Sequence, residues 1–237
     1  MQQTADILSV SRREVKYLVS LPDRLYLLRA LDQLLIPDAY GGYRGYSVRS
    51  VYFDSICNED YEDKVRGAPI KKRIRLRIYH AEDRTAKFEL KRKEYGQEKK
   101  ESLIVSRDQA QRILGGDYRP LLEQGTGLGR YAYDLMTTRR YRPVSLIAYD
   151  RRAYTHPQFS TRVTLDQNLR CSNTQLDLFC PHLHLREILP RDETILELKY
   201  DRFLFAQLQN VLSRCDLSRR PPSKFGSSRD LLQRYYA

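Results

Sequence analysis

The chain has 237 residues, with 42 lysines and arginines against 30 aspartates and glutamates, a formal charge of +12 and a sequence pI near 9.6. That length is enough for an ample core, and 41% hydrophobic with 30% charged residues is the composition of a soluble globular protein. No apolar stretch approaches the roughly 18 residues of a membrane span, and the first ten residues, MQQTADILSV, lack the basic start and apolar run of a secretory signal, so a cytoplasmic protein is expected.

In chain order, residues 11–19 (SRREVKYLV) read as a strand. Ser20 then caps a helix, with Pro22 in its first turn and Asp23 favourable to the dipole. Its stripe is Leu21, Leu25, Leu28, Leu31 and Leu35, and Pro37 ends it. Gly41-Gly42 turns the chain into a β-branched and aromatic strand over 46–54, and 70–80, 84–93 and 98–105 read as three more. Ser106 with Gln109 forms a capping-box signature for a short helix to about Leu114. Gly115 to Gly129 is glycine-rich; it reads as loop with a helical piece, and Gly125-Thr-Gly127-Leu-Gly129 as a flexible connection. Strands follow at 139–154, 160–170, more weakly 182–188, and 192–200; helices are predicted at 202–214 and, after Pro221-Pro222, near 227–236. Many strands with short links and few helices predict an α+β protein, a mainly antiparallel β-barrel with peripheral helices, as a single domain over 1–237.

The charges follow strand parity. Lys71, Arg73, Arg75, Arg77 and Tyr79 alternate with Ile70, Lys72, Ile74, Leu76 and Ile78, so one face is basic and the other nearly apolar. The pattern recurs in Lys87, Glu89, Lys91 and Lys93; in Glu197 and Lys199; in Arg12, Glu14 and Lys16; and in Arg162, Thr164 and Asp166. One such strand is an ordinary wet surface. Repeated in five, with Glu-x-Lys and Arg-x-Arg in place of Ser, Thr, Gln and Asn, it predicts a charged lumen inside a closed sheet. Only a polyanion makes so crowded a set of cations favourable, and arginine with lysine suits phosphate.

The glutamates separate nucleic acid from a metal-dependent phosphate site. Interleaved carboxylates weaken a face that tracks a sugar-phosphate backbone, whereas polyphosphate or a nucleoside triphosphate brings a divalent ion that needs a carboxylate. Glu197 is the first candidate ligand, with Glu14 and Glu89 next. No nucleic acid is expected. Tyr17, Tyr149 and Tyr200 fall opposite the charged parity and read as packing residues. Cys57, Cys171, Cys180 and Cys215 form no CxxC pair, and Cys180, His182 and His184 have no second cluster to complete a metal site. No P-loop GxxxxGK[ST] is present.

Glu14-Val-Lys16-Tyr17, Tyr52-Phe-Asp54, Arg73-Ile-Arg75-Leu-Arg77, Glu89-Leu-Lys91, Asp150-Arg-Arg152-Ala-Tyr154, Arg162-Val-Thr-Leu-Asp166, Leu196-Glu197-Leu-Lys199 and Ser223-Lys224-Phe225 occur in the order seen in the VTC domain. From about Arg12 to Arg229 the chain resembles the polyphosphate polymerase domain of the vacuolar transporter chaperone family and its bacterial relatives, in the CYTH-like triphosphate tunnel metalloenzyme group. The resemblance implies an antiparallel β-barrel tunnel binding ATP and a growing polyphosphate chain with Mn²⁺ or Mg²⁺. It implies Lys16, Arg75, Arg77, Lys91, Arg152, Arg162 and Lys199 as catalytic, phosphate-binding cations and Glu197 as metal ligand. Lys224 would reach the tunnel from the segment before the last helix. The lysine expected on the strand after Lys91 falls at Lys99 or Lys100, with Lys100 preferred. A terminal phosphate oxygen is already a nucleophile, so a polymerase needs no general base. A metal-dependent tripolyphosphatase or nucleoside triphosphatase of the same fold has to activate water and carries more carboxylates; it is the alternative, and a non-enzymatic polyanion-binding module is the second. Any role in translocation would require a separate membrane-protein partner, and the oligomeric state is not readable from the sequence.

Overall fold

The computed structural model describes residues 12–236; Ser11, where the first strand is predicted to begin, lies outside them. The elements are β1 (Arg12–Val19), α1 (Leu21–Leu34), β2 (Ile36–Pro37), β3 (Tyr46–Asp54), α2 (Glu59–Val65), β4 (Ile70–Ile78), β5 (Thr85–Glu94), β6 (Gln97–Ser106), α3 (Arg107–Leu114), α4 (Arg119–Glu123), α5 (Gly127–Thr138), β7 (Arg142–His156), β8 (Thr161–Ser172), β9 (Arg186–Glu187), β10 (Thr194–Asp201), α6 (Ala206–Leu212) and α7 (Lys224–Tyr236). The strands are hydrogen-bonded in the order β1-β10-β8-β7-β3-β4-β5-β6, with β2 on β7 and β9 on β8. Pairing is antiparallel along β1-β10-β8 and along β3-β4-β5-β6, so the α+β antiparallel class is as predicted. The order is a path with ends at β1 and β6. The closed ring of strands expected from the sequence is therefore not made by strand pairing among the described residues.

Contacts divide the chain into two compact units, each assembled from separated segments. The first comprises residues up to Tyr46, Arg151–Gln167 and Arg191–Pro221; the second comprises Ser47–Asp150, Asn168–Pro190 and the segment from Pro222. β7 and β8 contribute residues to both.

In the first unit the apolar sides of β1, β8 and β10 (Val19, Val163, Leu165, Leu196, Leu198) pack with α1 and α6. Ser20 caps α1 as predicted, its hydroxyl oxygen accepting the Asp23 N–H. The stripe is rotated from the predicted one: Leu27, Leu31 and Leu35 are buried, whereas Leu21 and Leu25 are 36% and 50% exposed. A leucine-rich helix offers two overlapping series at i+3/i+4 spacing, and packing against the sheet selects the one beginning at Leu27. Each such leucine stabilises the unit by roughly 1.5–3 kcal/mol. α6 is shorter than predicted and adds Leu208 and Leu212.

In the second unit Val51, Phe53, Ile74, Leu76, Ile78, Phe88 and Leu90 pack with the buried residues of α3, α4 and α5. β5 and β6 are joined by the two-residue turn Tyr95-Gly96, both at positive φ (48° and 90°), the geometry that suits a tight antiparallel hairpin. The capping box of Ser106 and Gln109 forms as predicted. Gly125–Gly129 is not a flexible connection: Thr126 caps α5, and a Cβ on Gly129 would lie 2.1 Å from the Leu121 carbonyl oxygen. Only glycine permits that approach of α5 to α4. α2 has no counterpart in the sequence reading, because a seven-residue helix with few apolar positions carries little periodicity. The weak strand at 182–188 reduces to the two residues of β9. Among the described residues no helix is long and apolar enough to cross a membrane.

Candidate functional site

The predicted cations fall into two clusters, one in each unit. In the first unit, β1 pairs β10 with Glu14 opposite Lys199 and Lys16 opposite Glu197, and β10 pairs β8 with Lys199 opposite Arg162. Directly opposed residues share a face, so this register gathers the four charges of β1 and β10 into a ring. Lys16 Nζ lies 2.7 Å from Glu14 and 3.2 Å from Glu197, and Lys199 Nζ lies 3.1 Å from each. Burial would raise the Glu197 carboxyl, but Lys16 and Lys199 hold it below the usual carboxylate range. Burial likewise opposes the charge on Lys16, and Glu197 with Glu14 outweighs it, raising the ammonium. Both partners are therefore ionised at neutral pH. Further along β8, Arg162 donates to Asp38 at 2.7 Å and to the Tyr46 hydroxyl at 3.3 Å.

Arg152 does not join this cluster. Its guanidinium donates to Asp32 of α1 at 2.9 Å, and Tyr154, two residues on and on the same side of β7, donates to the same carboxylate at 2.6 Å. Tyr154 belongs to the core under α1. Arg152 thus ties helix to sheet, and the structure does not bring it together with the other predicted phosphate cations of this unit. The side chain of opposite parity is Arg151, whose Nε and a terminal nitrogen grip the buried Asp166 at 2.7 and 2.8 Å. Asp166 shares the charged parity of Arg162, so Arg151 is the β7 arginine on the charged side. In an Arg-Arg pair, only knowing which neighbour faces the core could have identified it.

In the second unit the register sets Tyr52 opposite Arg75, Arg75 opposite Glu89 and Lys91 opposite Lys100. Glu89 is the hub: one oxygen accepts from Arg75 at 2.6 Å and lies 3.7 Å from Arg77, and the other is held by Lys100. Burial acts to raise this carboxyl, but Arg75, Arg77 and Lys100 together bring it down to about 2. Lys100 is lowered, first by burial. Lys99 instead pairs with Glu101, which also accepts from Arg92. Lys91 reaches Glu98 at 2.5 Å.

Two aromatic residues of this cluster were missed. The Tyr52 hydroxyl accepts from Arg75 at 2.9 Å; burial opposes its ionisation, yet Arg75, Arg73 and Arg77 lower the phenol to about 8. Tyr149 is buried, as its predicted packing role requires, but it packs on the charged side and not opposite it, with Lys224 Nζ 4.9 Å from its ring centroid. Lys224 is the first residue of α7 and does not precede the helix. The adjacent Phe225 is buried, stacks on Tyr52 with centroids 5.2 Å apart, and lies under Arg73. It is the anchor that places Lys224.

The carboxylates differ in fitness for a metal. Glu14 and Glu197 are neighbouring carboxylates that share the ammonium groups of Lys16 and Lys199, which can turn to an entering phosphate. They fit half of an Mg²⁺ or Mn²⁺ site of the kind that substrate phosphates and water complete. Among the described residues no group of three His, Cys, Asp or Glu side chains forms a metal site by itself, Cys180, His182 and His184 included. Glu89 does not fit, because the three cations surrounding it repel a divalent ion.

Ordered basic strands, carboxylates opposed to lysines and a lysine delivered by the last helix are the features that the VTC domain motifs encode. A model of the VTC domain matches residues 11–233. The chain belongs to the VTC domain family. No curated protein matches it. Among solved structures, a putative adenylate cyclase from Bacillus halodurans is similar at 16% identity over 94% of this chain and 96% of that one, with a TM-score of 0.53. A putative adenylyl cyclase from Hippeastrum, described as having a dominant triphosphatase activity, is similar at 13% identity over 92% and 94%, with a TM-score of 0.58. At these identities the likeness shows the fold, which is of the CYTH-like, triphosphate tunnel type. Membership of the VTC domain family places the chain with triphosphate tunnel enzymes, which generally use divalent metals.

Proposed function

We propose that this VTC-family chain is an ATP-dependent polyphosphate polymerase. The observation that carries the reading is that the carboxylates in both clusters are engaged by cations, and among the described residues no histidine enters either. Nothing in them is poised to take a proton from water. Transfer of the ATP γ-phosphate to a terminal phosphate oxygen needs no such base. The acceptor oxygen forms the new P–O bond, the bond to the β-phosphate oxygen breaks, and ADP leaves with the electron pair.

The side chains present supply what that transfer requires. Arg75 and Arg77, held by Glu89, offer guanidinium N–H groups in fixed positions, and Lys91, Lys100 and Lys224 add ammonium charge. In the first unit Lys16 and Lys199 exchange carboxylate for phosphate oxygens, while Glu14 and Glu197 become available to a divalent ion. The ion, Mn²⁺ or Mg²⁺, would neutralise charge on the transferred group when bound. Arg162 and Arg151 extend the cationic surface along β8 and β7.

Incubating the pure protein with ATP and Mn²⁺ and resolving the products on a gel tests this. Long polyphosphate with stoichiometric ADP is expected, and Glu197→Gln should abolish it. Release of orthophosphate without polymer would instead assign the chain as a hydrolase of the same fold. Tight, metal-independent binding without turnover would assign it as a polyanion-binding module.

A further inference from the structure

The segment from Asp38 to Gly45 joins β2 to β3 in the first unit and reads DAYGGYRG. Its first residue is a buried carboxylate. One Asp38 oxygen accepts the Tyr40 N–H at 3.0 Å, and the other accepts from Arg162 at 2.7 Å. The Asp38 backbone N–H is fixed to the Ala153 carbonyl, and the Asp38 carbonyl accepts from both Gly41 and Gly42, so the carboxylate sits on a tight, locally bonded turn. The rest of the segment faces water: Tyr40 and Tyr43 are 82% and 62% exposed. Neither is used by the fold as core.

Arg162 itself is poised for an anion from outside. Its side chain is 37% exposed, whereas that of Asp38 is 7% exposed. The buried partner thus faces an arginine that solvent can reach. One terminal nitrogen of Arg162 is given to Asp38 and the Tyr46 hydroxyl, so a phosphate engages the whole guanidinium fork with two of its oxygens only by displacing the carboxylate.

We infer that Asp38 is an internal competitor for phosphate at Arg162, a specificity-determining residue that weakens binding of single phosphate chains until they displace it, and that displacement loosens the Asp38–Gly45 turn. This deepens the polymerase reading and rests on it. Arg162 pins one oxygen of the carboxylate whose other oxygen accepts the Tyr40 N–H, so loss of the arginine leaves the carboxylate that caps the turn less fixed, and binding is reported in the backbone of the turn as well as at the arginine. A site that must pass a growing product also benefits from a built-in anion that restores the empty state.

The test uses Asp38→Asn, whose amide oxygen still accepts the Tyr40 N–H while the negative charge is lost. Calorimetric titration with inorganic tripolyphosphate and Mn²⁺ should give about tenfold tighter binding than the original chain, the worth of roughly one charge-assisted hydrogen bond that no longer has to be broken. With ATP, KM should fall while kcat stays level or drops as product leaves more slowly. A purely structural role for Asp38 predicts the opposite, weaker binding and lower kcat together. Hydrogen exchange of the amides of residues 38–45 in the unsubstituted chain gives an independent measurement: exchange should quicken when tripolyphosphate is added. If that chain binds tripolyphosphate but the turn is unchanged or protected, or Asp38→Asn binds no tighter, the inference fails and the polymerase reading stands. If the chain binds no tripolyphosphate with any divalent metal, both fall.

Discussion

Replacing Glu89 by glutamine keeps the size of the side chain and one acceptor oxygen while deleting the single negative charge among Arg75, Arg77 and Lys100. The carboxylate is 2% exposed, so solvent does little to screen the loss. Its folded-state value of about 2 lies below the ordinary 4.5. A depressed carboxyl contributes stability that is fully present above the unfolded value and is lost as pH falls through the folded one. The contribution is therefore complete at neutral pH and disappears between about 4.5 and 2. That depression corresponds to about 3 kcal/mol, at the lower end of the ~3–5 kcal/mol for breaking a buried ion pair. Urea denaturation at pH 7 should show Glu89→Gln destabilised by about that amount, with the difference shrinking towards pH 3. Lys100 provides a second readout. Burial already lowers it, and Glu89 is the neighbour that raises it; the substitution lowers it further, so the alkaline limb of the pH–rate profile should move to lower pH. Tripolyphosphate should stabilise the variant more than the original chain, because it restores the missing anion. A loss under 1 kcal/mol at pH 7 with an unmoved alkaline limb would refute the hub reading, and so would loss of Mn²⁺ affinity with stability intact.

The two neighbouring arginines of β7 should separate cleanly. Arg151→Gln should raise the Kd for tripolyphosphate about tenfold or more, whereas Arg152→Gln should leave it unchanged and cost roughly 1–2 kcal/mol of stability by urea denaturation. Gly129→Ala should destabilise the chain by more than about 2 kcal/mol, since α5 must move off α4 to admit the methyl group; a neutral result would show that contact to be loose. Asp60 is raised by burial to about 7, with Lys72 at 3.2 Å opposing. A carboxyl raised in the folded state costs stability as pH climbs from its unfolded value through the folded one. Stability should therefore decline from pH 5 to pH 8, and Asp60→Asn should flatten that decline, as thermal melts across the range would show.

Strand positions and the identity of most charged-face residues were legible because a period of two in charge survives without any alignment. Ile74, Leu76 and Ile78 are buried and Arg75 meets Glu89, as alternation requires. Parity failed where two like residues stand side by side. Arg151-Arg152 offers the same charge to both faces, and the tyrosines carry a polar tip that suits either face. Which leucines of α1 face the sheet was equally undecidable from a helix with leucine at so many positions. Partner identity was not legible at all: no spacing rule announces that Asp38 faces Arg162 or that Asp32 faces Arg152, since these contacts join segments about 120 residues apart. The lysine after Lys91 depended on hairpin register, which the two-residue turn at Tyr95-Gly96 sets by placing Glu94 opposite Gln97 and hence Lys91 opposite Lys100.

The chain's excess of positive charge is matched unevenly by carboxylates in the two clusters, and that has a measurable consequence. In the first unit, Lys16 and Lys199 are matched by Glu14 and Glu197, Arg151 by Asp166 and Arg162 by Asp38. Binding a polyanion there exchanges one set of ion pairs for another and releases few counterions. In the second unit Glu89 serves three cations at once, and Arg73 faces an aromatic ring instead of a carboxylate. Counterions condensed on polyphosphate are released by cations not already neutralised within the protein, so the salt dependence of affinity should arise mainly from the second cluster. Arg75→Gln should therefore flatten a plot of log affinity against log salt, measured by titration with tripolyphosphate. Lys199→Gln should weaken binding with a smaller change of slope. Equal slope changes for the two variants would show that the carboxylates of the first unit do not stay with their cations in the free protein.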